Sequence, residues 1–153
     1  MVSRMLLPGV EMMKARIGLP YNDTFVSDFE EAKFLLFSSH DYQLSHVLRF
    51  LEPENVEIQW IDYASVLLIE LHQQDRAACE GSKSKKCYFV QVYFNNDQLK
   101  LPGCKNLDCD FDEYERYILK RGLTYSEMDK ICFSEPPLNN PSAILKHRKF
   151  YIS

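Results

Sequence analysis

The sequence of 153 residues has no apolar run that approaches the roughly 18–20 residues needed to cross a bilayer. Its first residues, MVSRMLLPGVEMMK, also lack the apolar core of roughly 7–15 residues and the small-residue cleavage site of a signal peptide. We therefore predict no membrane span and no export signal in this chain. Glycine is scarce and the composition is mixed, which excludes collagen-like and low-complexity proteins.

Excess positive charge is absent as well, because 18 Lys and Arg stand against 22 Asp and Glu, giving a net charge of −4. This charge balance does not indicate a basic surface of the kind that binds DNA or RNA, so we expect no nucleic-acid partner. The sequence contains no glycine-rich phosphate loop, no zinc-type spacing of Cys and His, and no Ser-His-Asp set. We predict neither a bound metal nor a cofactor.

Cysteine, in contrast, is plentiful, with five residues in a chain of this length. Asn22 opens the sequon Asn-Asp-Thr and is a glycosylation candidate, and the two features together suggest an oxidising compartment. The odd count leaves at least one cysteine without a partner inside the chain. Cys79 and Cys87 flank a charged loop and could bridge it, although other pairings stay open.

The spacing of apolar residues predicts a single α/β domain over residues 1–135, followed by a proline-rich and then basic tail over residues 136–153. The first expected elements are a helix over residues 6–17 with Pro8 in its first turn and a strand over 34–38 that is buried on both faces. A helix from Asp41 or Tyr42 to Leu51 follows, and then an antiparallel hairpin of strands 64–72 and 87–94. The last elements are a turn at 101–104 and a helix that starts with a capping box at 110–113 and ends near Gly122.

His40 and Asp41 stand where the predicted strand gives way to the predicted helix. In open α/β sheets, ligands bind beyond the carboxyl ends of strands, where the next helix directs free N–H groups. A histidine there can donate hydrogen bonds to an anion, and a carboxylic acid can give a proton to a departing oxygen. The structural alternative is that Asp41 only caps the helix, since aspartate is common at helix starts.

Residues 34–51, FLLFSSHDYQLSHVLRFL, resemble the Ser-x-His-Asp segment of the histidine acid phosphatases of the prostatic and lysosomal type. The resemblance continues in order through ASVLLIEL, CYFVQVYFNND, LPGC, a second cysteine and a Phe-Asp-Glu-Tyr helix, and it covers roughly residues 5–132. It implies the C-terminal half of a phosphoglycerate-mutase-like, three-layer histidine-phosphatase fold, with the strand, the His-Asp pair, the helix and the hairpin.

The resemblance also implies roles for individual residues. His40 would stabilise the phosphoryl oxygens, and Asp41 would be the general acid that protonates the leaving group. Cys104 and Cys109 match a short disulfide loop of the family, whereas Cys132 matches a cysteine whose partner lies in the N-terminal half. Family members are secretory or lysosomal, so the resemblance implies that compartment.

The first half of the family's site, an Arg-His-Gly-x-Arg-x-Pro motif, is absent, and the nearest pairing is the reversed His147-Arg148. In the family its histidine attacks phosphorus to form a phosphohistidine, and its arginines clamp the phosphate. We therefore expect this chain to be inactive alone and to bind a phosphomonoester or phosphate only when an N-terminal half completes it. Two alternatives are a non-catalytic remnant that binds a partner or forms a homodimer, and an unrelated small α/β binding domain in which Asp41 merely caps.

Overall fold

The computed structural model describes residues 3–21, 32–57, 60–75, 77–79, 84–123, 127 and 130. The chain divides into two compact units, Met1–Gly122 and Leu123–Ser153, and the description below concerns the first. The sequon at Asn22, Cys132 and the predicted tail over residues 136–153 all lie outside the described residues.

The first unit is of the α/β class, as predicted. Its described helices are α1, Ser3–Arg16; α2, Asp41–Leu51; and α3, Phe111–Arg121. Its described strands are β1, Leu67–Gln73; β2, Tyr88–Phe94; β3, Asp97–Gln98; and β4, Cys109–Asp110. Strand β2 is central, because it pairs antiparallel with β1, with β3 and with β4.

The predicted hairpin is confirmed. Strands β1 and β2 are antiparallel, with Ile69 opposite Val92 and Gln73 opposite Tyr88. A disulfide between Cys79 and Cys87 closes the connection, with 5.2 Å between the two Cα atoms. The Cys79–Cys87 disulfide, which the sequence left as one of several pairings, is therefore present.

Apolar residues from α1, α2, α3 and β2 form one core. Within each helix they recur three, four or seven positions apart, so they share one face; in β2 they alternate. The buried residues are Leu6, Val10 and Ile17 at α1, Val47, Leu48 and Leu51 in α2, Val90, Val92 and Phe94 in β2, and Phe111, Tyr114 and Ile118 in α3. Complete burial raises the pKa of the Tyr114 phenol above its usual value.

Two details of the predicted helix starts are wrong. Helix α1 begins at Ser3, so Pro8 lies inside the helix rather than in its first turn. The capping box predicted at residues 110–113 does not form, since Asp110 is the N-cap without a side-chain hydrogen bond. The carboxylate of Glu113 instead accepts from the backbone N–H of Lys105 (3.1 Å) and pairs with its ammonium group (2.9 Å).

The disulfide predicted between Cys104 and Cys109 is confirmed, and it closes the loop that leads into α3. The predicted turn before it is present, because the N–H of Cys104 donates to the carbonyl of Leu101 at 3.0 Å. Gly103 lies so close to the Tyr117 ring that a Cβ atom would overlap it. Helix α3 ends where predicted, with Gly122 as its C-cap.

The strand predicted over residues 34–38 is wrong. This segment has no strand structure, and its side chains are not buried: Phe34 is 69% and Leu36 is 74% exposed. A buried strand needs neighbours on both edges that pair with its N–H and C=O groups. Among the described residues no strand supplies that pairing, because the sheet order begins at β1.

Candidate functional site

The chain turns into α2 at His40 and Asp41, as the sequence predicted for the helix start. His40 is the N-cap in an extended conformation, and its N–H group donates to Oε1 of Gln43 at 3.4 Å. Asp41 is the first helical residue, and its Oδ1 accepts from the N–H of Tyr42 at 2.8 Å. The pair therefore stands at the positive end of the helix dipole, where negative charge is favoured.

Both side chains are accessible to a ligand, because His40 and Asp41 are exposed. The imidazole of His40 stacks on the Tyr42 ring, with 6.0 Å between the ring centroids and 9° between the planes. His46 lies on the next turn and meets the edge of the same Tyr42 ring at 6.0 Å. The Tyr42 ring thus lies between those of His40 and His46, a contact that the sequence did not indicate.

A groove of about 1240 Å³ is lined by both members of the pair. Its other walls are α1, residues 32–39, residues 60–66 and β1. A second cavity of about 400 Å³ is also lined by Asp41, together with Arg49 and Trp60. Asp41 therefore borders both cavities.

Positive charge is sparse along these cavities. Their described lining residues include three permanent cations, Arg16 and Lys33 in the groove and Arg49 in the smaller cavity. None of the three forms an ion pair with Asp41 within the described part of the chain. A doubly charged phosphate ester would need further cations, since catalysis at phosphorus depends on preplaced positive charge.

Of the predicted site residues, His40 and Asp41 are neighbours in the sequence at the start of α2, and the Cys104–Cys109 disulfide lies at a different place, before α3. Over the described residues, no three His, Cys, Asp or Glu side chains form a metal-binding group, and no helix has the length and apolar character needed to cross a bilayer.

Sequence reasoning missed the apolar wall of the groove. Phe34, Leu36 and Phe37 were predicted to be buried in a sheet, but they are exposed and line the same groove as β1. The signal was present in the sequence as an apolar run, yet the run cannot show whether a neighbouring strand covers it.

Comparison with known proteins gives a limited relationship. No family model matches the chain. Counting factor 60 from Dictyostelium discoideum is 30% identical over 90 residues, which cover 59% of this chain. The chain spans about a fifth (19%) of the length of that relative.

Proposed function

We propose that this chain is the C-terminal part of a histidine acid phosphatase-like domain with a phosphoglycerate-mutase-like fold, and that it is inactive alone. The observation that carries the proposal is the placement of His40 and Asp41, exposed at the N-terminus of α2 and lining a large groove. The order of the surrounding motifs along the chain supports it.

In the completed domain the two residues would have separate tasks. A histidine donated by the rest of the protein would attack phosphorus and form a phosphohistidine, while the bond to the ester oxygen breaks. The imidazole of His40 would donate hydrogen bonds to the phosphoryl oxygens. Asp41, in its protonated form, would transfer its proton to the departing oxygen, so that an alcohol leaves rather than an alkoxide.

The expected inactivity has a direct chemical reason. Asp41 and His40 can assist a displacement at phosphorus, but neither is the group that attacks it in this proposal. The three cations that line the cavities are not paired with the site. The chain therefore carries the acid of the reaction without its nucleophile or its phosphate clamp.

The test is hydrolysis of p-nitrophenyl phosphate at acid pH by the purified chain. We expect the unaltered chain, His40→Ala and Asp41→Ala to give the same background rate. Asp62→Ala is the matched control, because Asp62 is an exposed carboxylate on the same groove. Turnover by the unaltered chain and Asp62→Ala that is lost in Asp41→Ala would contradict the proposed inactivity.

The exposed apolar side chains favour a second candidate, a non-catalytic module that binds another protein. Phe34, Leu36, Trp60 and Tyr63 are all more than two-thirds exposed, and all line the same groove. Contiguous apolar surface of this kind marks interaction sites in soluble proteins. This candidate needs no catalytic role for Asp41, which then acts only at the helix start.

A further inference from the structure

The smaller cavity runs along one face of α2. From the helix and its C-cap it is lined by Asp41, Ser45, Leu48, Arg49 and Glu52, whose spacing places them on a common face. Its volume of about 400 Å³ lies within the roughly 300–1,000 Å³ that is usual for small-molecule sites. The cavity therefore suits a small molecule in size.

The chain that follows α2 supplies the remaining wall. Glu52 adopts a left-handed conformation (φ 46°), and hydrogen bonds then anchor the next two residues beside β3. The N–H of Glu54 donates to the carbonyl of Lys100 at 2.8 Å, and Nδ2 of Asn55 donates to the carbonyl of Gln98 at 2.9 Å. The residues of this wall that line the cavity are Pro53, Val56, Trp60 and Ile61.

The uncharged part of the lining favours an aromatic ligand. Leu48 is buried, and Val56 and Ile61 pack against the core, so they form an apolar surface. The side chain of Trp60 is 78% exposed, so its ring is accessible at the cavity. An aromatic ring gains more than its buried area alone when it packs on such a side chain.

The charged part of the lining favours an anion over an amine. Both carboxylates already have partners: Glu52 pairs with the guanidinium group of Arg121 at 2.9 Å, and Oδ1 of Asp41 accepts from the N–H of Tyr42 at 2.8 Å. Arg49 is exposed and lines the cavity, so its guanidinium group can donate to a ligand. Arginine binds carboxylates through two parallel hydrogen bonds, a geometry that its planar group fits well.

The same charges limit the ligand to one negative charge. Arg49 is the cation of the described lining, whereas Asp41 and Glu52 each place a carboxylate there. A doubly charged phosphate would meet repulsion from these carboxylates with one cation to offset it. A single carboxylate matches the single guanidinium group.

We propose that the smaller cavity binds a small aromatic carboxylic acid as its anion, with the carboxylate on Arg49 and the ring on Trp60. Ligand binding here requires neither a phosphate ester nor a nucleophile. The proposal is therefore independent of the proposed phosphatase assignment and goes beyond it.

Trp60 is the single tryptophan of the chain, so its fluorescence reports directly on the cavity. Hydrocinnamate, a phenyl ring joined to a carboxylate by two methylene groups, is the probe. We expect it to shift the emission to shorter wavelength as it covers the ring, and to saturate at roughly millimolar concentrations. Hydrocinnamamide has the same shape without the charge and should bind at least about tenfold more weakly.

Two protein variants locate the bound anion. Arg49→Gln removes the guanidinium group and should weaken hydrocinnamate binding by about tenfold or more. Arg16→Gln is the matched control, since Arg16 is an exposed arginine that lines the large groove but not the smaller cavity. It should bind as the unaltered chain does. This control is needed because Trp60 also borders the large groove.

Three results would overturn the proposal. The first is the absence of a saturable shift with hydrocinnamate. The second is equal binding of hydrocinnamate and hydrocinnamamide, which would show an apolar site that does not select an anion. The third is binding that is unchanged in Arg49→Gln, and its loss in Arg16→Gln would then place the ligand in the large groove.

Discussion

At the scale of single residues, Glu115 is the buried charge of the described core, with an exposed fraction of 8%. Its carboxylate accepts a hydrogen bond from the ammonium group of Lys85 and lies 3.9 Å from that of Lys14. Lys14 belongs to α1 and Lys85 to the short 3-10 helix before β2. Glu115 therefore connects α3 to two other elements, and a buried carboxylate is stable only with such partners.

Removal of that carboxylate should be costly. We expect Glu115→Ala to lower the free energy of unfolding by about 2–3 kcal/mol, because among the described residues Lys85 then keeps only the more distant Asp112 (3.8 Å) and Lys14 keeps only Glu11 as a partner. Urea denaturation measures the change. Asp112→Ala is the comparison, because Asp112 contacts the same Lys85 at 3.8 Å from a side chain that is 51% exposed, and its removal should cost less than about 1 kcal/mol. Equal losses in the two variants would contradict the role given to Glu115.

The His40 and Asp41 pair shows how far the sequence predicts a site. The start of α2 could be predicted because the apolar spacing after residue 41 is helical and the pair stands directly before it. The stacking of His40 on Tyr42 could not be predicted, since the start of a helix does not fix side-chain rotamers. The role of Asp41 as an acid stays a proposal that rests on the resemblance.

At the scale of elements, prediction succeeded where a segment carries its own pattern. Helices α2 and α3 have apolar residues three and four positions apart. Strand β2 is rich in β-branched and aromatic residues, and β1 carries a short apolar run of leucine and isoleucine. The strand prediction for residues 34–38 failed because a strand requires a neighbouring strand to pair with as well as an apolar pattern. The prediction of a capping box before α3 failed because the Glu113 carboxylate pairs with the charged Lys105 side chain. A charged partner binds the carboxylate more strongly than the backbone N–H of Asp110 would.

The pair of Glu113 and Lys105 should make stability depend on acid pH. The hydrogen bond from Lys105 lowers the pKa of Glu113 below its ordinary value of 4.5. A carboxyl group whose pKa is lowered in the folded state stabilises the fold at pH values above its ordinary pKa. This stabilisation is lost as the pH falls through the folded-state pKa.

We therefore expect Glu113→Gln to be less stable than the unaltered chain at pH 6 and to approach it as the pH falls below about 4.5. Thermal unfolding measured from pH 6 to pH 2.5 shows the difference. Glu57→Gln controls for the loss of one exposed carboxyl group, because Glu57 is exposed and forms no ion pair within the described part of the chain. If the difference in stability between Glu113→Gln and the unaltered chain stays constant over this pH range, the proposed effect of Glu113 protonation on stability is contradicted.

At the scale of the whole molecule, the described unit has a covered core and an uncovered sheet edge. One face of β2 packs with the helices, whereas the free edge of β1 and the exposed side chains of residues 34–37 border a large groove. Over the described residues β1 has no strand along its outer edge.

The most direct test of that account is to map the 5′ end of the transcript and read the coding region upstream of Met1. We predict that an Arg-His-Gly-x-Arg-x-Pro motif lies upstream in the same reading frame, which would supply the nucleophile and the phosphate clamp that His40 and Asp41 require. A message that begins at Met1, or an upstream region in frame without this motif, would contradict the assignment to an acid phosphatase-like domain and favour the second candidate, a module that binds another protein.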